Sequence, residues 1–326
     1  MISTSLTKRF LPALLGLTFA AAAQAAVPTI DFGAAAGYSA FFYGNVSNVR
    51  DVEGKLAVGG NLATDGFSFG YRVAHGVTGP AIVVGGDIAL GNGAIYGPAP
   101  AGADTNHSIG PVTEYTKNWN GTGVYGGTNS SVDYLKWQLS QQSGVIDFGA
   151  AKTQLTQLSS QLNGLAPKGT VSIDGSGMHL TGDGASDLQV FDVNTRELHN
   201  LVLSNVKAGA TVVINVSGSG AVNFSGGQDG QLEALRANVL FNLGDATTVN
   251  VGTFVWGSVL ANSANLTGSG HLEGNIVAQS MSGMVEIGYE PFTRYVPPTS
   301  PVPEPQTYAM LLAGLALAAA AARRRG

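Results

Sequence analysis

A phrase written twice limits the folds open to this chain. Val52-Glu53-Gly54-Lys55-Leu56-Ala57-Val58-Gly59-Gly60-Asn61-Leu62 is echoed by Ala81-Ile82-Val83-Val84-Gly85-Gly86-Asp87-Ile88, with the Gly-Gly pairs 26 residues apart. Leu272-Glu273-Gly274-Asn275-Ile276-Val277-Ala278 is a weaker echo. A short strand, a tight Gly-Gly-Asn/Asp corner and a second short strand make one rung of a β-solenoid. Glycine is expected to supply positive φ at the corner, and Asn or Asp tolerates it.

Composition agrees with many short strands. Glycine makes up 46 of 326 residues, and charged residues only 11% against roughly 25% in an average globular chain. Strands are predicted at Thr170–Asp174, Leu188–Val193, Ala210–Val216, Val222–Phe224, Asn238–Leu243 and Thr247–Val251, all β-branched and broken by Gly, Asn and Asp. Val212-Val213-Ile214-Asn215-Val216 carries apolar side chains on both faces, as a strand covered on two sides would. One region differs. Ser130 to Leu165 has helical spacing, with Val132, Leu135 and Leu139 on a first helix. Phe148, Ala151, Leu155, Leu158 and Leu162 mark a second, with Asp147 as N-cap and Gly164 as terminator. Such a stripe must cover something, and a solenoid flank is the obvious partner.

The ends are signals rather than fold. Lys8 and Arg9, the apolar run Phe10–Ala23 and the small-residue site Ala23-Gln24-Ala25 read as a secretory signal at residues 1–25, cut after Ala25. A body over residues 26–296 follows, with a helical insert at about 130–165. Residues 297–302 form a Pro-rich linker. Residues 303–326 begin with Pro303-Glu304-Pro305, continue as an apolar run over 308–322 and end in Arg323-Arg324-Arg325. A fifteen-residue helix reaches about 22 Å, short of a roughly 30 Å hydrocarbon core, but snorkelling arginines and local thinning close the gap. The arginines hold that end in the cytoplasm while the N-terminal signal sends the body out.

Without the basic residues of the two signals and Glu304, 11 basic residues face 20 acidic ones, so the body stands near −9. A sparse acidic surface repels phosphate, which argues against nucleic acid. With no cysteine, disulfides, thiolate metal sites and cysteine nucleophiles are excluded. Gly66-Phe67-Ser68-Phe69-Gly70 matches G-x-S-x-G, but Tyr71-Arg72-Val73-Ala74-His75-Gly76 is a poor start for the helix a nucleophile elbow needs. His75, His107, His179, His199 and His271 lack zinc spacing. Asp174, Asp183, Asp187 and Asp192 lie among glycines; their oxygens could take Ca2+ or be solvated turn carboxylates. No catalytic, cofactor-binding or metal-ligating residue is singled out, and no cofactor is expected. Carboxylates meeting along a solenoid groove would make a polysaccharide-active enzyme. Threonine rows would make an ice-binding face, yet Thr211, Thr247 and Thr248 show no sustained T-x-T ladder. Tyr96, Tyr115, Trp119 and Tyr125 punctuate the Gly/Pro-rich stretch 91–130, where aromatics stack on sugars or pin the loop to the body.

The tail resembles the PEP-CTERM sorting signal in its Val-Pro-Glu-Pro motif at residues 302–305, apolar helix and arginine cluster. That resemblance implies a Gram-negative source that makes extracellular polysaccharide, and export through the secretion machinery with a transient stay in the inner membrane. It further implies cleavage near Pro303–Pro305 by exosortase, followed by release or transfer to the surface or matrix. The body resembles the choice-of-anchor A family. The resemblance is carried by the Val52–Asn61 and Val83–Asp87 phrases, Leu188-Gln189-Val190-Phe191, Ala210–Val216, Val239-Leu240-Phe241-Asn242, Gly257–Ala264 and Leu272–Ile276. Asn262 stands where many relatives have proline. The family implies a mainly β chain, a right-handed β-helix of the ice-binding-protein type with a long helix beside it, and no catalytic residues. The expected function is an adhesive or exopolysaccharide-associated surface or matrix protein that is not an enzyme.

Overall fold

The computed structural model of the chain describes residues 27–102, 121–132, 137–297, 314–315 and 318–324. The protein is mainly β, and nearly all of its strands pair in parallel. They form three stacks. The first, called the helix face, runs through Leu188–Val193, Thr211–Val216, Val239–Asn242, the start of Ser258–Gly268, Ile276–Met281, Ala40–Phe42, Leu56–Val58, Ile82–Val84, Gly121–Tyr125 and Trp137–Gln141. The second, the polar face, includes Gly177–Thr181, Glu197–Ser204, Gly220–Gly230, Ala246–Val251, Val46–Ser47, Leu62–Thr64 and Ile88–Leu90. The short face runs through Phe254–Trp256, His271–Glu273, Glu286–Ile287, Asp51–Val52, Phe67–Phe69 and Gly93–Ile95. A hairpin, Thr170–Asp174 against Gly177–Thr181, supplies the antiparallel pair at one end.

Order in space departs from order in sequence. Ala40–Phe42, near the start of the chain, sits mid-stack, between Leu56–Val58 and Ile276–Ala278 from near its end. The chain builds outward from Ala40 to Gln141, returns along the helix Phe148–Asn163, and builds back towards its own beginning.

The predicted second helix is present as Phe148–Asn163. Asp147 caps it by accepting from the Ala150 N–H at 2.9 Å, and Gly164 ends it. The predicted first helix is not. Leu139 lies in the strand Trp137–Gln141, paired along its length with Gly121–Tyr125. Val132 lies in no strand and Leu135 falls outside the described residues, whereas Leu139 takes a strand because the neighbouring rung offers it backbone partners, and tertiary pairing overrides weak local periodicity.

Helix and sheet meet through two sets of contacts. Ala151, Leu155, Leu158 and Leu162 pack on Phe41, Val213, Leu240, Leu260 and Val277, which point out of the helix face while their neighbours in each strand point in. That is why Val212–Val216 is apolar on both sides. Around this seam, amides bond to the helix. Asn215 donates to Leu162 O (2.9 Å), Asn242 to Ser159 O (3.0 Å) and Asn262 to Leu155 O (3.0 Å), and Lys152 donates to Gln279 Oε1 (2.6 Å). One rung rises about 4.8 Å and one helical turn about 5.4 Å, close enough for each rung to reach the next turn.

The corner phrase has a different cause from the one expected. Gly59, Gly60, Gly85 and Gly86 are absent from the positive-φ positions. What excludes a side chain is the rung below: a Cβ on Gly60 would collide with Asn45 Oδ1, and one on Gly86 with Asn61 Oδ1. Those oxygens are fixed because they accept from the next rung, Asn61 N to Asn45 Oδ1 at 2.9 Å and Asp87 N to Asn61 Oδ1 at 2.9 Å. Gly126-Gly127-Thr128 is a further copy, with Thr128 N donating to Asp87 Oδ1 at 2.7 Å.

Candidate binding surface

The weaker echo lies at another corner and explains a buried charge cluster. Val52 and Leu272 both align with Ile287, so Val52-Glu53-Gly54 and Leu272-Glu273-Gly274 occupy equivalent corners on either side of the seam where the chain's two ends meet. Gly288 stands at that corner between them, and a side chain there would run into the Glu273 carboxylate. Arg72 Nη1 bonds Glu53 and lies 3.1 Å from Glu273 Oε1, with all three side chains no more than 6% exposed. Tyr71 OH donates to Glu53. His271 donates from Nε2 to Glu273 Oε2 at 2.8 Å, and its Nδ1 is 3.4 Å from Glu286 Oε2.

Burial pushes the Glu53 carboxyl up, and Arg72 and Tyr71 pull against it. Burial also works against the Arg72 charge, but Glu53 and Glu273 outweigh it and leave the guanidinium pKa raised. The same contest at His271 ends with the pKa raised to about 9, because hydrogen bonds to Glu273 and Glu286 exceed the cost of burial. Glu286 is lowered in return by its bond to His271. These carboxylates are engaged in holding rungs together across the seam. Phe254 stacks on His271 (centroids 4.2 Å apart, planes at 11°) and lies 4.3 Å from Trp256.

The polar face offers short side chains in register. Ala221, Thr248, Asn265 and Ser280 form one outward row, and Glu197, Asn223, Asn250 and Thr267 the next. Across the seam, Ser47, Ala63 and Ala89 continue it. Thr248 belongs to these rows, Thr247 is exposed beside them, and Thr211 is buried in the helix face, so the three threonines do not share a row.

The other residues singled out from sequence are dispersed. Ser68 sits inside the strand Phe67–Phe69 with no helix after it, so G-x-S-x-G here is not a nucleophile elbow. Asp174 is held by Ser176, which lowers its pKa to about 2; Asp183 is lowered by Ser186 and Ala185. Asp187 pairs with Lys207 at 2.6 Å, and Asp192 accepts from Asn215 at 3.2 Å. Each of these aspartates has its own local partner, and among the described residues no three His, Asp or Glu side chains gather as a metal site requires. His75 meets Ala99 O, His179 meets Ser176, and His199 meets Ser225. Tyr96 is buried and stacks edge-on against Tyr71. His107, Tyr115, Trp119, Ala23, Ala25, Pro303, Glu304, Pro305 and Arg325 lie outside the described residues, as does most of 308–322. Residues 318–324, including Arg323 and Arg324, are helical, and no helix among the described residues is long and apolar enough to cross a membrane. Sequence reading missed Arg72 and Glu273 as partners; the shared Glu-Gly of the two echoes was the available signal.

Two family models match. The PEP-CTERM protein-sorting motif matches residues 301–325, which marks an exported protein sorted to the cell surface and processed by exosortase. No curated protein matches the chain. Among solved structures, an ice-binding protein from the Antarctic ascomycete Antarctomyces psychrotrophicus is similar at 14% identity and a TM-score of 0.39, covering 82% of this chain and all of its own. A glycosylated ice-binding protein from an Arctic yeast is similar at 16% identity and a TM-score of 0.35, covering 84% of this chain and 96% of its own. The other family match runs over residues 31–289, most of the chain, and neither family is an enzyme family. By that match the chain belongs to the ice-binding-like adhesive domain family.

Proposed function

We propose that this is a non-catalytic adhesive protein of the cell surface or extracellular matrix, whose body, a right-handed β-helix, contacts exopolysaccharide. The observation that carries the reading is the join of a surface-sorting tail to a body whose clustered carboxylates, Glu53 and Glu273, are buried under Arg72. A hydrolase needs such groups free to meet a substrate; here they bond rungs together. In this reading Ala23 and Ala25 set the leader cleavage site. Pro303-Glu304-Pro305 is cut by exosortase, and Arg323, Arg324 and Arg325 hold the chain in the inner membrane until then. No cofactor is required.

The test is binding of residues 26–302 to the producing bacterium's own extracellular polysaccharide, with reducing ends followed in the same tube. Binding without new reducing ends is the expected result. Reducing ends that accumulate would make the protein a polysaccharide-active enzyme, and absence of binding to polymer or cells would end the adhesive reading. A second reading, ice binding, is favoured by the in-register short side chains Ala221, Thr248, Asn265 and Ser280 on the polar face. Thermal hysteresis in a freezing assay decides it.

A further inference from the structure

The seam between the chain's two ends is closed unevenly. On the helix face, three residue pairs join Ala40–Phe42 to Ile276–Ala278. On the polar face one pair, Val46 with Met281, does the joining, and on the short face one pair, Ile287 with Val52. Where those two faces meet, the rungs part and leave a cleft of about 380 Å³. That volume falls within the range of small-molecule sites.

One lip carries Asn48, Arg50 and Asp65, and the other Ser282 and Met284. Among the described residues, Arg50 forms no ion pair, and neither Arg50 nor Asn48 has a side-chain hydrogen bond. Asp65 uses Oδ1 to accept from Asn92 N at 2.6 Å, which leaves Oδ2 available. Ser282 accepts from Asn265 at 2.8 Å and keeps its own hydroxyl proton to donate. Met284 is 48% exposed, unusual for a large apolar side chain in this protein. Asn48 has φ of 62°, a left-handed conformation of the kind that collects at ligand sites.

A forked donor, a carboxylate acceptor, an amide, a hydroxyl and one apolar thioether facing a single cleft match the two sides of a pyranose: vicinal hydroxyls at its edge and C–H groups on its face. Asp65 in the wall and the acidic body disfavour a carboxylated sugar. We propose that the seam cleft is a subsite for one neutral hexose unit of a polysaccharide, with Arg50 and Asp65 gripping its hydroxyls and Met284 under its face. The proposal rests on the exopolysaccharide reading above and gives that reading a location.

The test uses the full chain in mild detergent, titrated with maltohexaose, cellohexaose and hexagalacturonate, alongside binding to the bacterium's own polysaccharide. At least one neutral hexaose should bind. Arg50→Gln and Asp65→Asn should each weaken it tenfold or more, Ser282→Trp should block it by filling the cleft, and Lys207→Gln, remote from the seam, should leave it unchanged. Melting curves of each variant establish that the fold is intact. The subsite is wrong if the seam variants bind like the native chain, if only hexagalacturonate binds, or if no hexaose binds. If the native chain still holds the bacterium's polysaccharide in any of those cases, the adhesive reading survives and only the site falls; if it holds no polymer, both fall.

Discussion

Single residues in this protein are chosen by the rung next door. Gly86 is glycine because Asn61 Oδ1 lies where its Cβ would be, so Gly86→Ala should cost several kcal/mol, more than the fraction of a kcal/mol that glycine's flexibility alone would predict. Chemical denaturation of the variant measures this. Asn262 accepts from Tyr43 OH at 2.8 Å and donates to Leu155 O at 3.0 Å. Asn262→Ala should lose about 1–3 kcal/mol by leaving the buried Leu155 carbonyl and the half-buried Tyr43 hydroxyl unmet, and by the same measurement Asn262→Pro should do no better. His271 gives stability a pH dependence. Its pKa is about 9 folded and near 6.5 unfolded, so its stabilisation is full below pH 6.5 and is lost as pH rises through 9. The melting temperature of the native protein should therefore fall between pH 6.5 and 9.5, and His271→Gln should flatten that fall.

The helix Phe148–Asn163 shows how far an element can be read before its surroundings are known. Its stripe, its Asp147 cap and its Gly164 end are all written locally, and so the sequence alone locates it to within a residue. The strand Trp137–Gln141 is not written locally, because what makes it a strand is the pairing partner Gly121–Tyr125. The strands Leu188–Val193 and Val239–Asn242 were legible because β-branched runs between turn residues need no partner to be recognised. The glycine pairs were legible as corners, but their cause was not, since a collision with Asn45 or Asn61 appears only when rungs are stacked. The same limit hid Arg72, whose partners Glu53 and Glu273 are 19 and 201 residues away. At this scale the helix can be tested directly. Leu155 is fully buried between helix and sheet, and Leu155→Ala should cost about 2–5 kcal/mol with strand content retained, read by circular dichroism and urea unfolding.

Across the whole molecule, the two halves are halves only in sequence. The rung Ala40–Phe42 needs Ile276–Ala278 on one side and Leu56–Val58 on the other, and the ends are clamped again by Ile30 N to Tyr295 O at 2.9 Å, by Asp31 with Arg294 at 3.0 Å, and by Phe32 stacked on Phe292. Unfolding should therefore be a single transition in which amides of Phe41 and Val259 exchange with the same free energy of opening. A chain truncated after residue 275 should lose protection at Phe41 as well as near its new end. Hydrogen exchange followed by mass spectrometry checks both.

The position of that first rung also sets a clock. A chain that leaves the cell N-terminus first makes Ala40–Phe42 early, yet the rung has only one neighbour until Ile276–Ala278 arrives at the far end of synthesis. By then the sorting motif at residues 301–325 is the next segment to emerge. Closing of the seam and arrival of the tail thus fall together, so the body is completed at about the moment its sorting signal is delivered for processing by exosortase.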